Sequence, residues 1–160
     1  MVRTKNPLSA SSKEAVAKIL QPLLSTFIDM HLRAKVAHWN IRGQGFLTIH
    51  RMFDEVVDEA YEWSDKIAER LGQLGATALG VATNVTEFSY LPAYPLGLAS
   101  GEAHMDAISS SLALCSAHLS SAIVYVDEAE DYATSNLLQD MLEDVDKWLW
   151  FVDSHSANRT

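Results

Sequence analysis

Five residues between positions 38 and 70 have the types and spacings that could hold a metal ion: His38, His50, Asp54, Asp65 and Glu69. Imidazole nitrogen and carboxylate oxygen, with no thiolate among them, form a donor set suited to Fe(II), Mn(II) or Zn(II) rather than to a soft metal. A helix advances about 100° and about 1.5 Å per residue, so with Asp54 at zero, His50, Asp65 and Glu69 fall within a sector of about 100°. The apolar residues Ile49, Phe53, Val56, Ala60, Trp63, Ile67, Leu71 and Leu74 centre roughly 140° or more away. The polar set therefore turns its back on the core. Any one of these residues alone reads as a solvated helix face, and His38 alone as a helix-end histidine satisfied by backbone. The joint pattern, with His followed by Asp and Asp followed by Glu at one-turn spacing, reads as a site.

Asp54 and Asp65 are about 16 Å apart along the helix axis, beyond the reach of one ion or a pair of ions. One chain cannot close the site, but two can. The pairs 50/69 and 54/65 are mirrored about a point between Glu59 and Ala60. A second copy packed antiparallel around a two-fold axis at that point would bring Asp54 opposite Asp65 of the partner subunit, and His50 opposite Glu69 of the partner subunit. Such isologous contact is the commonest oligomer interface. Carboxylates gathered there would repel one another unless a cation lay between them.

The elements that must position these residues are helical. Apolar periodicity predicts one helix over about 12–39, a second over 46–74 closed by Gly72 and Gly75, a third over 101–127 and a fourth over 133–154. Pro22 should kink or interrupt the first. Nearly thirty residues rich in Pro and Gly join the second helix to the third, and VATNVTEFSYL within them could hold a short helix. Two hairpins joined by a long crossover give an all-α, ferritin-like four-helix bundle. The expected organisation is a flexible tail over 1–11, one bundle domain over 12–155 and a short tail over 156–160.

The 160-residue chain is 48% hydrophobic and 21% charged, as expected of one folded domain. No apolar run is expected to span a bilayer, and no hydrophobic segment follows the basic start MVRTKNPLSASSKEA, so the expected location is cytoplasmic, without membrane contact. The lone Cys115, in SLALCSAHL, reads as a core residue. A net charge of −9 attracts cations and repels phosphate backbones.

The segment AHWNIRGQGFLTIHRMFDEVVDEAYEWSDKIAER resembles the Dps family, the miniature ferritins named for DNA protection in starved cells. The likeness lies in HWN, the second histidine twelve residues after the first, Asp four later, and D-x-x-x-E eleven beyond that. It extends through LQPLLSTFIDMHLRAKVAHWN and DVDKWLWFVDSH. It implies a hollow homo-dodecamer built from two-fold dimers, with two irons per inter-subunit centre and zinc as a surrogate. By similarity, Asp65 and Glu69 of one subunit with His38 of the other hold the firmer iron, while His50 and Asp54 position the second. The implied reaction is oxidation of Fe(II), preferentially by hydrogen peroxide, with storage of ferric mineral. Di-iron sites inside a single bundle use Glu-x-x-His. No histidine of this chain has Glu three residues before it.

The resemblance also marks secondary candidates. Trp39 would lie beside the iron site, as an electron donor or as packing. Glu55, Asp58, Glu59 and Glu62 form an acidic stripe that could nucleate mineral or simply be solvated. Asp131 and Asp140 are candidates for a three-fold pore, although carboxylates there also suit a helix N-terminus, and Asn136 stands where another pore carboxylate is expected. His31, His104, His118 and His155 read as packing or surface residues. Two rival functions remain: a DNA-binding, nucleoid-compacting protein with secondary iron chemistry, and an oligomer holding structural zinc. The N-terminus offers only Arg3, Lys5 and Lys13 for DNA, and the C-terminus Arg159, so DNA binding is expected to be weak or absent.

Overall fold

The computed structural model describes residues 1–98 and 100–156. Of the expected C-terminal tail, residue 156 ends the last helix and 157–160 lie outside the described residues. The elements are α1 (Ala10–Asn40), α2 (Phe46–Leu74), α3 (Ala82–Phe88), α4 (Gly101–Glu128) and α5 (Tyr132–Ser156), with no strand among the described residues. α1 packs on α2 and α4 on α5, the two hairpins meet mainly through α1 and α4, and α3 rides on α1. This is the ferritin-like four-helix bundle with its short helix in the crossover.

α1 begins earlier than expected because Ser9 caps it, its Oγ accepting the Ser12 N–H at 3.0 Å; Ala10 and Ser11 belong to the helix. Pro22 does not interrupt α1, which runs unbroken to Asn40. Thr26 Oγ1 instead donates to the Pro22 carbonyl at 2.8 Å. α2 stops at Gly75, whose φ of 85° and whose N–H bonds to Gly72 and Leu71 carbonyls form a left-handed cap. The N-terminal segment closes on this turn: Val2 N–H donates to the Gly75 carbonyl at 2.6 Å, and a Cβ at position 75 would meet the Val2 carbonyl oxygen at 2.2 Å.

The core is a continuous apolar cluster centred on Leu20, Phe27, Phe53, Trp63, Ile108 and Leu119. Cys115 is wholly buried in it, and burial pushes its thiol up to about 12. One expectation needs correction. α4 carries an 18-residue stretch of mean hydropathy 1.5, long and apolar enough by composition to cross a membrane. Its apolar residues interleave with serines, and one stripe of it, including Ile108, Leu112 and Leu119, is buried against the bundle.

Polar groups hold the crossover on α1. Arg33 makes paired bonds to Asp29, Nε to Oδ1 and Nη2 to Oδ2, both at 2.9 Å, and also donates to the Pro92 carbonyl. Ser89 donates to Asp29 at 2.7 Å, and Tyr90 N–H to Thr26 at 3.1 Å. Tyr94 shares a 2.9 Å hydrogen bond with buried His104.

A second polar tie joins the end of α2 to the start of α5. Arg70 Nη2 donates to Asp131 Oδ1 at 2.6 Å and its Nε to Thr134 Oγ1 at 2.7 Å, while Asp131 Oδ1 caps α5 by accepting the Thr134 N–H. Burial opposes ionisation of Asp131, but the bonds from Arg70 and Thr134 and the Arg70 charge outweigh it, leaving the carboxyl below its ordinary value. A depressed folded-state pKa stabilises the fold above the unfolded value and ceases to do so as pH falls through the folded one. Arg70→Leu should therefore cost about 3–5 kcal/mol at neutral pH, because it strands a buried carboxylate. The deficit should shrink on acidification below the ordinary aspartate range. Guanidinium midpoints of wild type and variant, at one protein concentration and across acid pH, measure both effects.

Candidate functional site

Where α1 ends and α2 begins, the antiparallel hairpin sets His38 and His50 side by side. His38 Nδ1 lies 2.9 Å from the His50 carbonyl oxygen, and His50 Nδ1 lies 2.9 Å from that of His38. A carbonyl oxygen only accepts, so each Nδ1 carries the proton and donates it. In the neutral ring Nε2 is then the atom with the lone pair, the arrangement of a metal-ligating imidazole held by an outer hydrogen bond. The rings stack at 3.7 Å between centroids, 22° from parallel, and Phe46 stacks on His50 at 5.0 Å.

Asp54 lies one turn further along α2, with Oδ1 3.7 Å from His38 Nδ1. The Lys35 ammonium, 2.6 Å away, holds the Asp54 carboxyl below its usual range. Lys35 was missed at the sequence level. Its partner lies 19 residues away on the neighbouring helix, and only its position one turn before His38 could have hinted at it.

Asp65 and Glu69 are exposed further along the same face of α2, and neither has a hydrogen-bond or ion-pair partner among the described residues. Among those residues, no group of three or more His, Cys, Asp or Glu converges closely enough to hold a metal ion. One chain thus presents two separated half-sets on one outward face: His38, His50 and Asp54 near one end, Asp65 and Glu69 near the other.

The secondary candidates sort by their surroundings. Trp39 is 68% exposed next to the first half-set. Glu55, Asp58 and Glu62 are exposed and Glu59 is half-buried. Asp131 departs from the pore expectation: its side chain is 2% exposed and its oxygens are committed to Arg70 and Thr134. Asp140 is exposed, with Asn136 Nδ2 3.4 Å from its Oδ2. His104 is buried, His118 stacks on Tyr90 at 4.0 Å, His155 is exposed, and His31 is half-buried with Nδ1 3.1 Å from the Val57 carbonyl oxygen.

Residues 17–159 match the ferritin-like domain family. The DNA protection during starvation protein of Agrobacterium fabrum is 36% identical over 158 residues, which cover 99% of this chain and 98% of that one. The fine tangled pili major subunit of Haemophilus ducreyi is 32% identical, over 94% of this chain and 79% of its own length. Among solved structures, Dps from Microbacterium arborescens in its high iron form superposes with a TM-score of 0.88 at 30% identity, covering 98% of this chain and 99% of that one. Through its bundle and through relatives alike over nearly their whole length, the chain belongs to the ferritin-like family and, within it, to the Dps proteins.

Proposed function

We propose that this chain oxidises Fe(II) at centres closed between two subunits and stores the ferric product inside a hollow dodecamer, protecting the cell from oxidative damage. One observation carries the reading: both imidazoles of the His38 and His50 pair have Nδ1 tied to backbone, which leaves Nε2 as the atom to ligate, and His50 shares its face of α2 with Asp54, Asp65 and Glu69. Paired antiparallel, the two half-sets complete each other at two identical places per dimer. Asp65 and Glu69 of one subunit and His38 of the other hold the firmer ferrous ion. His50 and Asp54 position the second.

Hydrogen peroxide fits the two-ion arrangement. Each Fe(II) gives one electron, the O–O bond breaks, and with two protons the peroxide leaves as two waters, with no hydroxyl radical released. Trp39 supplies an electron when peroxide outruns iron. Glu55, Glu59 and Glu62 contribute acidic surface for mineral nucleation, and Asp140 to iron entry. The location that suits this work is the cytoplasm.

Asp65→Ala or Glu69→Ala should nearly abolish rapid iron oxidation while leaving helicity intact, because both side chains are exposed and have no hydrogen-bond or ion-pair partner among the described residues. Anaerobic Fe(II) loading followed by peroxide, read as ferric absorbance, tests this. Unchanged rates in both variants, or no ferric signal from the native protein, would overturn the iron reading and favour structural zinc.

Lys35 competes with the second ion for Asp54. Lys35→Met should tighten binding of a second Zn(II) by roughly tenfold, the scale of about 1.4 kcal/mol, with little effect on the first. Calorimetric titration resolves the two sites, and equal effects on both would contradict the assignment of Asp54.

Strong duplex binding is not expected. The net charge of −9 opposes a phosphate backbone, and Lys13, one of the few cations at the N-terminus, donates to the Asn6 carbonyl at 2.7 Å. A gel shift near physiological salt should show no tight complex; a tight one, lost on deleting residues 1–12, would make nucleoid compaction the primary function.

A further inference from the structure

Two residues on the ligand face belong to neither half-set. With Asp54 at zero, Asp58 lies at about +40° and Tyr61 at about −20°, so together they centre on the same direction as the four α2 ligands. They are also mirrored about the same point between residues 59 and 60. Between Asp54 and Asp65, they alone occupy the middle of this face. Tyr61 is 58% exposed and Asp58 is exposed, and among the described residues neither the phenol nor the carboxylate has a hydrogen-bond or ion-pair partner.

The structure holds Tyr61 in position without satisfying its hydroxyl. The ring leans on His31, with centroids 6.1 Å apart and planes at 58°, and His31 is itself fixed by its 3.1 Å contact to the Val57 carbonyl oxygen. A groove of about 400 Å³ bordered by Leu24, Ile28, His31 and Asp65 opens beside it. The ring is thus braced from its own chain while its polar end has no partner among the described residues.

Resting on the inter-subunit reading of the iron site, we propose that Tyr61 and Asp58 form the register pair of the two-fold seam, each Tyr61 hydroxyl donating to Asp58 of the partner subunit. The antiparallel pairing that joins the half-sets brings two Asp58 carboxylates close to the axis, where like charges repel. Tyr61 is the neutral donor on that stretch of the face, and symmetry supplies the bond twice. A phenol donating to a carboxylate at the dry centre of an interface is a charge-assisted bond, and tyrosine is a frequent anchor in such places. A slip of one helical turn, about 5.4 Å, would lose both bonds and separate the metal ligands. The pair therefore selects the register in which iron can bind, and Asp58 acts in the seam rather than in the acidic stripe.

The test is a double-mutant cycle on the full-length assembly: Tyr61→Phe, Asp58→Ala and both together, with helicity checked by circular dichroism. Dilution followed by light scattering gives the protein concentration of half-dissociation, and calorimetry with Zn(II) reads the seam site. Each single variant removes both symmetry copies of the bond and should raise that concentration by roughly a hundredfold, about tenfold for each charge-assisted bond lost. The double variant should be no worse than the weaker single one, because both remove the same contact. Additive effects, no shift in either single variant, or a tighter assembly from Asp58→Ala through relieved repulsion would each overturn the pair. An Asp65→Ala control separates this from the iron reading. Loss of Zn(II) binding in that control, with midpoints unmoved by the seam variants, leaves the site standing and removes the register pair. Non-additive seam shifts in a protein that binds no Zn(II) do the reverse.

Discussion

Two imidazoles that donate to each other's backbone carbonyls can present only their Nε2 atoms outward. This reciprocal lock between His38 and His50 is the constraint on which the site depends. It requires α1 and α2 to run antiparallel at contact distance with these two residues at one level, so that each carbonyl lies beside the other ring. Once that holds, the tautomer is decided by hydrogen-bond chemistry, because the carbonyl cannot donate. The stacked rings, with Phe46 behind them, leave the lone pairs little rotational freedom. A histidine pair on neighbouring rigid helices is better held than one on a loop.

The rest of the fold keeps that hairpin in place while leaving its outer face bare. Apolar residues of α2 such as Phe53, Val56, Ala60, Trp63 and Ile67 are fully buried on the opposite side, so rotation of α2 would expose the core before it turned the candidate residues away. The Asp29 and Arg33 network seats the crossover on α1, and Arg70 ties the far end of α2 to α5 through Asp131. Each tie gives a buried charge a hydrogen-bonded partner, which burial otherwise makes costly.

Helix number, the crossover helix and the outward face shared by His50, Asp54, Asp65 and Glu69 were legible in the sequence, because each rests on local periodicity or on spacing along one helix. α2 has the expected bounds because Gly75 ends it in a conformation few other residues adopt. The start of α1 was less legible, since any of several neighbouring serines could cap it and Ser9 does. Asp131 was misread for a different reason: its ion-pair partner Arg70 stands 61 residues away, and a chain read residue by residue shows a carboxylate but not the cation beside it. Lys35 was missed in the same way. The lock between His38 and His50 joins side chains to backbone across two helices, so no spacing rule reveals it.

Charge neutralisation connects the two kinds of residue. In the proposed seam, Asp54 meets Asp65 of the partner subunit, an arrangement that repels itself until a cation enters. Lys35 already lies 2.6 Å from Asp54 and can serve as that cation while iron is absent. Its ammonium relieves repulsion in the empty dimer, but an incoming ion must compete with it for the same oxygen. The proposed firmer site, drawing on Asp65, Glu69 and His38, has no such competitor for its carboxylates among the described residues. In the proposed centre, unequal affinity of the two iron positions would follow from the placement of one lysine: the cation that lets the empty seam close would weaken the position proposed for the second iron.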